Sequence, residues 1–266
     1  MYISENNNIT INIYWTRHSL SCSNVASSCA LQHVNNNMYK DFKKKNLYYG
    51  IFPKDSNVTN IGIFHVNHIS KKLKEKNIQF DKIITSNLIR AIKTADKFAF
   101  NLNIKDIYIL PFIQEINTIS DGTNVRSISN LKKYIKDNQS IKSNIYIFNN
   151  HKYFLQPSCI NNFINFIVLS LPKKKKKIYN FLVITHGGFF EKYITNKKVA
   201  NLEIWKQKYK INNNIIPDEP CKFIKGIGND RDKYYYSNPL SFGLNKEIYE
   251  NTIIECDIKI NNVNFI

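Results

Sequence analysis

Four short runs of β-branched and aromatic residues constrain this chain most: ITINIYWTRH (9–18), FDKIITS (80–86), IKDIYILP (104–111) and IYNFLVITH (178–186). Each has strand length and leads into polar residues. Between them, IGIFHVNHISKKLKEK (61–76) repeats apolar residues at spacings of three and four. The stretch NLIRAIKTADKFAFNL (87–102) sets Leu88, Ile92, Ala95 and Ala99 on one stripe, the signature of an amphipathic helix. GGFFEKYIT, after the fourth run, opens a further helix. Strands that alternate with helices predict an α/β fold, with a mostly parallel central sheet flanked by helices on both faces.

The length of 266 residues suits a single domain over 1–266. Two stretches, near 19–60 and 200–245, read as irregular insertions because they are polar and rich in Asn and Lys. Residues 116–150 resist assignment, and NTIIECDIKI (251–260) reads as a strand. A hydrophobic fraction of 43% suffices for a core and excludes the disordered class. The longest apolar stretch, FINFIVLSL (163–171), is interrupted by Asn165 and Ser170, so no spanning helix is expected. The first ten residues lack the basic and apolar regions of a secretion signal. Five cysteines (Cys22, Cys29, Cys159, Cys221, Cys256) are scattered and form no C-x-x-C. Free thiols in a reducing, cytoplasmic setting are the simpler reading, and the spacings do not suggest zinc. Nothing in the sequence fixes the oligomeric state.

The formal net charge is +18. A basic surface can meet nucleic acid, anionic lipid or phosphorylated ligands. Here Lys and Asn are spread along the whole chain, which reads as compositional drift; neither nucleic acid nor membrane is expected as a partner. The lysine run 173–177 reads as a solvated turn, with a basic targeting or phosphate-binding patch as the alternative. Only Arg17, Arg90, Arg126 and Arg231 are arginine among 38 Lys+Arg. Against such a background a retained arginine is informative, because lysine cannot reproduce its planar fork.

Two of the four arginines fall where the predicted strands end. Arg17 and His18 end the first strand. Thr85 and Ser86 end the second, with Arg90 one helical turn on. Glu115 follows the third, and Thr185 and His186 end the fourth. Ligands of open α/β sheets bind in the crevice outside the carboxyl ends of the strands. Two arginines, two histidines and one carboxylate meeting there suit a dianion: guanidinium forks match phosphate oxygens, and a histidine can attack phosphorus.

These residues resemble the histidine phosphatase superfamily, also called phosphoglycerate mutase-like, in its first branch. TRHSLSCSN is similar to its opening Arg-His-Gly with an Asn six residues past the histidine, here Arg17, His18 and Asn24. DSNVTNIG resembles its Asp-x-x-Leu-Thr-x-x-Gly stretch through Asp55, Val58, Thr59 and Gly62. SNLIRAIKTA looks like its Ser-x-Leu-x-Arg-Ala-x-x-Thr-Ala helix start. LPFIQE and VITHGG resemble its Leu-x-Glu and Val-x-His-Gly-Gly elements, ending in Glu115 and holding His186, Gly187 and Gly188. Asn251 looks like the Asn that often precedes the last strand. The order covers about residues 10 to 260. Departures are Ser19 in place of Gly, Leu20 in a position often acidic or Gln, no Trp-Glu-Gly-like continuation after Glu115, and a longer segment after Asn24. A side chain at Ser19 should crowd a tight turn, while its N–H stays available to phosphate.

The resemblance implies a phosphoglycerate mutase-like fold and hydrolysis of a phosphomonoester through a phosphohistidine on His18. Arg17 and Arg90 would clamp the phosphoryl oxygens, and His186 would donate to them. Glu115 would be the general acid and then the base for water. Asn24 and Gly187 would contact the phosphate. The partner would be a phosphorylated small molecule or phosphoprotein. Neither cofactor nor metal is implied, and no ligand set for zinc or magnesium is expected at the site. Phosphoglycerate mutase-type transfer and a catalytically degenerate binding protein are the alternatives.

Overall fold

A computed structural model describes residues 9–26, 55–115, 127–138, 140–148, 163–164, 166–167, 171, 177–211, 215–225, 227 and 246–256. Five parallel strands form most of one seven-stranded sheet: β1 (Ile9–Arg17), β2 (Lys82–Thr85), β3 (Asp106–Ile109), β4 (Asn144–Ile147) and β5 (Ile178–Thr185). Two antiparallel strands, β6 (Ile204–Ile211) and β7 (Ile215–Phe223), extend it, giving the order β4-β3-β2-β5-β1-β6-β7. The helices are α1 (Asn60–Glu75), α2 (Ile89–Leu102), α3 (Ile128–Asp137), the single turn α4 (Gly187–Phe190), which runs into a π-helical turn at Glu191–Thr195, and α5 (Lys246–Glu255). The fold is thus α/β, as the alternation of strands and helices predicts.

Strands β1 and β5 lack an exposed face because both faces are covered. Ile9, Ile11, Ile13 and Trp15 alternate onto one side, where they join Tyr179, Phe181, Val183, Phe189 and Phe190. Trp15 packs its ring 4.7 Å from Phe163 and 5.9 Å from Phe189. Tyr14, Leu182 and Ile184 alternate onto the other side, against Val66, Ile69 and Leu73 of α1 and Ala91, Ala95 and Phe98 of α2. This is the two-sided burial of a parallel sheet, which makes its strands read as near-continuous apolar runs.

Three expectations need correction. The region after residue 200 contains a regular hairpin: in IWKQKYKI, Trp205, Tyr209 and Ile211 are buried while lysines occupy the positions between. Its period of two is the ordinary signal of a half-buried antiparallel strand, and the lysines hid it. NTIIECDIKI is not a strand where it is described: residues 246–255 form α5, and Asn251 lies inside it. Tertiary anchoring at the end of that helix overrides the β-branched propensity of Thr252-Ile253-Ile254. The free-thiol expectation fails for two cysteines, because Cys22 and Cys256 form a disulfide across a sequence separation of 234; Cys221 is free. Within 116–150, α3 and β4 account for 128–137 and 144–147. Residues 27–54, 172–176 and 228–245 lie outside the described residues, and with them Cys29, most of the lysine run and Arg231; so do Cys159 and Arg126. No helix among the described residues is long and apolar enough to cross a membrane.

Candidate active site

Strand order places the candidate residues side by side. The chain leaves β1, builds β2, β3 and β4 outward, then returns to insert β5 between β2 and β1. The carboxyl ends of β1, β5 and β2 are therefore adjacent, with Arg17 opposite Thr185 and Ile184 opposite Thr85. The ladder continues past the strand ends: His18 N–H donates to Thr185 O at 2.9 Å and Ser86 N–H to Ile184 O at 3.2 Å. His18, His186 and Ser86 are thus presented in a row, and the two imidazole centroids lie 5.0 Å apart.

Helix α2 and the segment after β3 bring the remaining groups. Asp55 accepts from Ile89 N–H at 2.7 Å, so this carboxylate caps the start of the helix that carries Arg90. Arg90 Nε donates to His18 Nε2 at 3.1 Å, and Arg90 Nη2 lies 3.9 Å from Glu115 Oε2. Thr185 Oγ1 donates to Ile113 O at 2.6 Å, which ties the 111–115 segment to the end of β5. Glu115 Oε1 accepts from Gly188 N–H at 2.8 Å, and its Oε2 is 3.9 Å from His186 Nδ1. Arg17 Nη1 donates to Val199 O at 3.0 Å. A Cβ on Gly187 would sit 3.4 Å from the Arg17 guanidinium carbon, so the missing side chain leaves Arg17 its place. The structure therefore brings Arg17, His18, Arg90, Glu115 and His186 into one cluster, bordered by Gly187.

A hydrogen bond fixes the proton of His18, and a neighbouring carboxylate favours one tautomer of His186. His18 Nδ1 lies 2.7 Å from Ser19 O. A carbonyl only accepts, so Nδ1 carries the proton, and the Nε2 lone pair faces Arg90. For His186, Nε2 lies 2.5 Å from Ser86 Oγ, which itself accepts from Leu88 N–H at 3.4 Å. The hydroxyl can donate or accept here, but Glu115 Oε2, 3.9 Å from Nδ1, favours a proton on Nδ1, with the hydroxyl then donating to Nε2. That atom is fully buried and makes no hydrogen bond; it is an N–H donor held beside Glu115.

Burial holds both imidazoles neutral. The pKa of His18 is lowered well below 6.5, first by desolvation, then by Arg90 and Arg17; His186 is lowered likewise, by desolvation and then by Arg90, His18 and Arg17. Desolvation also pulls Arg17 down to about 10 against the opposing effect of Glu115, and lowers Arg90. Both guanidinium groups remain charged at neutral pH. Two buried cations beside one carboxylate leave a net positive cluster that favours an anion.

Ser19 behaves differently from the expectation of crowding. Its hydroxyl donates to Gly62 O at 2.7 Å, away from the histidines. A Cβ on Gly62 would lie 2.5 Å from Leu20 O and 2.7 Å from Ser19 Oγ. The bare Gly62 backbone at the first turn of α1 is what admits the serine. Ser19 N–H is not left for a ligand, because it donates to Thr94 Oγ1 at 3.0 Å. Thr59 caps α1 by accepting from Gly62 N–H at 3.0 Å, and its hydroxyl donates to Leu20 O at 3.2 Å. Asn24 turns its carboxamide oxygen into the loop, accepting from Ser21 N–H, Ser21 Oγ and Asn201 Nδ2.

The expectation that no ligand set would lie at the site is not met: His18, Glu115 and His186 each offer one donor atom, all within 4.8 Å of one another. The charge around them opposes a cation. Arg90 already occupies the His18 Nε2 lone pair, and two guanidinium groups raise the local positive potential.

Sequence reasoning missed Asn201 and Glu203. Asn201 lies shortly before β6 and donates to His18 O at 2.6 Å; Asn251 lies inside α5. Glu203 is fully buried, accepts from Ala200 N–H and Trp205 Nε1, and counters the charge of Arg17. The available signal was an Asn and a Glu leading into the alternating run of β6.

No protein-family profile matches the chain, and no curated protein matches it by sequence. Among solved structures it is similar to an ecdysone phosphate phosphatase from Bombix mori in complex with tungstate, at 11% identity over 85% of this chain and 98% of that chain, TM-score 0.46. It is similar to a phosphoserine phosphatase from Entamoeba histolytica in complex with 3-phosphoglyceric acid, at 16% identity over 82% and 99%, TM-score 0.42. A phosphoglycerate mutase from Plasmodium falciparum gives 13% identity over 86% and 98%, TM-score 0.38.

Proposed function

We propose that the chain hydrolyses a phosphomonoester through a phosphohistidine on His18. The observation that carries this is the hydrogen-bonding state of that residue: Nδ1–H is held by Ser19 O, while the neutral Nε2 lies between the strand end and Arg90. Attack on phosphorus requires this nitrogen unprotonated and its lone pair released, so the Arg90 N–H that it accepts must pass to a phosphoryl oxygen as the substrate binds. Arg17 and Arg90 neutralise the transferring oxygens, and the Nδ1–H of His186 donates to them. Glu115, fixed by Gly188 N–H, protonates the departing alkoxide and then takes the proton of the water that cleaves the P–N bond. Asn24 supplies its carboxamide nitrogen to a phosphate oxygen, and Gly187 borders the same space. The substrate is a phosphorylated small molecule or phosphoprotein.

The compartment is part of the proposal. A cytoplasmic location is the expectation from the sequence, whereas the Cys22–Cys256 bridge suits an oxidising one. Thiol labelling of the chain before lysis of its native cells decides between them.

The test is rapid mixing with an aryl phosphate and an alkaline quench, under which phosphohistidine survives. The wild-type chain yields a phosphoenzyme and turns over. His18→Ala yields neither, with an unchanged melting curve. Phosphoenzyme on another residue, or turnover by His18→Ala, defeats the reading.

A further inference from the structure

We propose that Asn201 is a positioning residue for this reaction: its carboxamide holds the turn whose carbonyl fixes the proton of His18. The inference rests on the phosphohistidine reading above. Asn201 Nδ2 lies 2.6 Å from His18 O, 3.2 Å from Ser19 O and 3.2 Å from Asn24 Oδ1. One NH2 group thus gathers three acceptors of the loop that follows β1. Ser19 O is the acceptor it shares with His18 Nδ1–H. The amide and the imidazole therefore meet on one carbonyl oxygen, and the position of that oxygen decides which nitrogen of His18 keeps its lone pair.

The surrounding turn is built to hold the amide in place. Val199 O accepts from Arg17 Nη1 at 3.0 Å, and Leu202 N–H donates to Arg17 O at 3.1 Å. Ala200 N–H donates to Glu203 Oε1 at 2.9 Å. Leu202 is fully buried at φ 63°, a left-handed conformation that a leucine adopts only where its surroundings impose it. Segment 199–203 thus grips Arg17 by side chain and backbone, and His18 by its carbonyl. Asn201 acts on the imidazole through Ser19 O.

The experiment compares Asn201→Ala and Asn201→Asp with the wild-type chain, by single-turnover transfer from an aryl phosphate, by 15N NMR of the His18 ring, and by competitive inhibition with inorganic phosphate. Asn201→Ala frees the Ser19 carbonyl. Transfer should fall by about 10–100-fold, the usual effect of removing a second-layer partner of a functional histidine. The ring spectrum should change from one Nδ1–H tautomer to a mixture. Inhibition by phosphate should weaken by only about 3-fold or less, because the forks of Arg17 and Arg90 are untouched. Asn201→Asp keeps the shape and carries the test if the alanine variant does not fold. Its carboxylate faces three acceptors and adds a negative charge beside His18, which already faces Arg17, Arg90, His186 and Glu115. The acid limb of kcat/KM should then move to higher pH.

A single unchanged tautomer together with wild-type transfer in either folded variant overturns the inference and leaves the phosphohistidine reading standing. If the wild-type chain forms no phosphohistidine, that reading fails, and the NMR tautomer comparison still decides whether Asn201 fixes His18. A loss of phosphate inhibition equal to the loss of transfer also overturns it, because the defect would then be one of ligand binding.

Discussion

Strand β1 carries two kinds of charge management on its two sides. At its carboxyl end the cations are arginines, 8% and 4% exposed at Arg17 and Arg90. On its flank, the β6–β7 hairpin carries lysines at the surface: Lys208 and Lys210 both lie 2.8 Å from Asp218, and Lys222 lies 2.8 Å from Glu219. Lys208, Lys210 and Lys222 each meet an opposite charge, and Asp218 is lowered in pKa by hydrogen bonds from Lys208 and Lys210. In the site, desolvation is the largest influence on both arginines and both histidines. The contrast is physical. A guanidinium is weakly hydrated and tolerates burial if its fork is satisfied, whereas an ammonium is strongly hydrated and stays where water reaches it. Between these two regions, lysine stands where water supplies the solvation and arginine where it does not.

The largest expected effect at the buried end belongs to Glu115. Glu115→Gln keeps the acceptor for Gly188 N–H and removes the proton. An alkyl phosphate should lose on the order of 10²–10⁴ in transfer rate, the usual contribution of a positioned acid. An aryl phosphate, whose leaving group hardly needs the proton, should transfer to His18 at nearly the wild-type rate and then accumulate as phosphoenzyme. Equal losses for the two substrates in single-turnover measurements remove Glu115 from the acid role. Asp55 is no substitute, because it caps α2, and Asp121 lies outside the described residues.

Next is Arg90→Lys, which tests the contrast directly by placing a hairpin-type cation in the site. Lysine keeps the charge but cannot donate at once to His18 Nε2 and face Glu115. A loss of about 10²–10³ in kcat is expected, as for removal of one preorganised donor. If Arg90→Lys has wild-type kcat, charge alone is what the position needs.

These tests rely on residues that the sequence exposes unevenly. Strands β1 and β5 and helices α1 and α2 are legible because two-sided burial and a helical stripe leave strong periodicities. Arg17, His18, Arg90, Glu115 and His186 are legible because they stand at the ends of those elements. What is hidden depends on three-dimensional return of the chain. Asn201 contacts His18 across 183 positions, and Cys22 finds Cys256 across 234; no local pattern announces either. The hairpin was obscured for a different reason, since lysines on its outer positions look like the drift seen elsewhere. Ser19 looked like an obstruction because the sequence does not reveal that Gly62 makes room for it.

A smaller effect is expected from pH. Both site histidines have folded pKa values below the ordinary 6.5. Below pH 6.5 the unfolded chain therefore binds more protons than the folded one, and stability falls as pH drops through that window. The nucleophile meanwhile stays neutral, so the acid limb of kcat/KM should lie below 6.5. Chemical denaturation between pH 5 and 8, set beside the pH–rate profile, checks both. A kcat/KM that halves at pH 6.5 or above would show that His18 is not shielded as its burial implies. The opposite sign, a chain more stable at pH 5 than at pH 7, would show that other groups dominate the titration.

The smallest effect should come from the hairpin, and that is what makes it informative. Replacing Lys208 and Lys210 by Met removes two of the chain's cations together with the partners of Asp218. If the +18 net charge steered phosphorylated substrates in general, kcat/KM would fall and its salt dependence would flatten. If the hairpin lysines are solvated surface charges held by Asp218, kcat/KM and its salt slope stay at the wild-type values. The same pair of measurements on Arg90→Lys separates the two regions further. There kcat should fall while the salt slope is retained, because the net charge is unchanged and only the fork is lost. A salt slope that responds to the hairpin, with a kcat indifferent to Arg90, would reverse the assignment of roles: substrate attraction would come from the lysines at the surface, and the buried arginines would serve the packing of the strand ends.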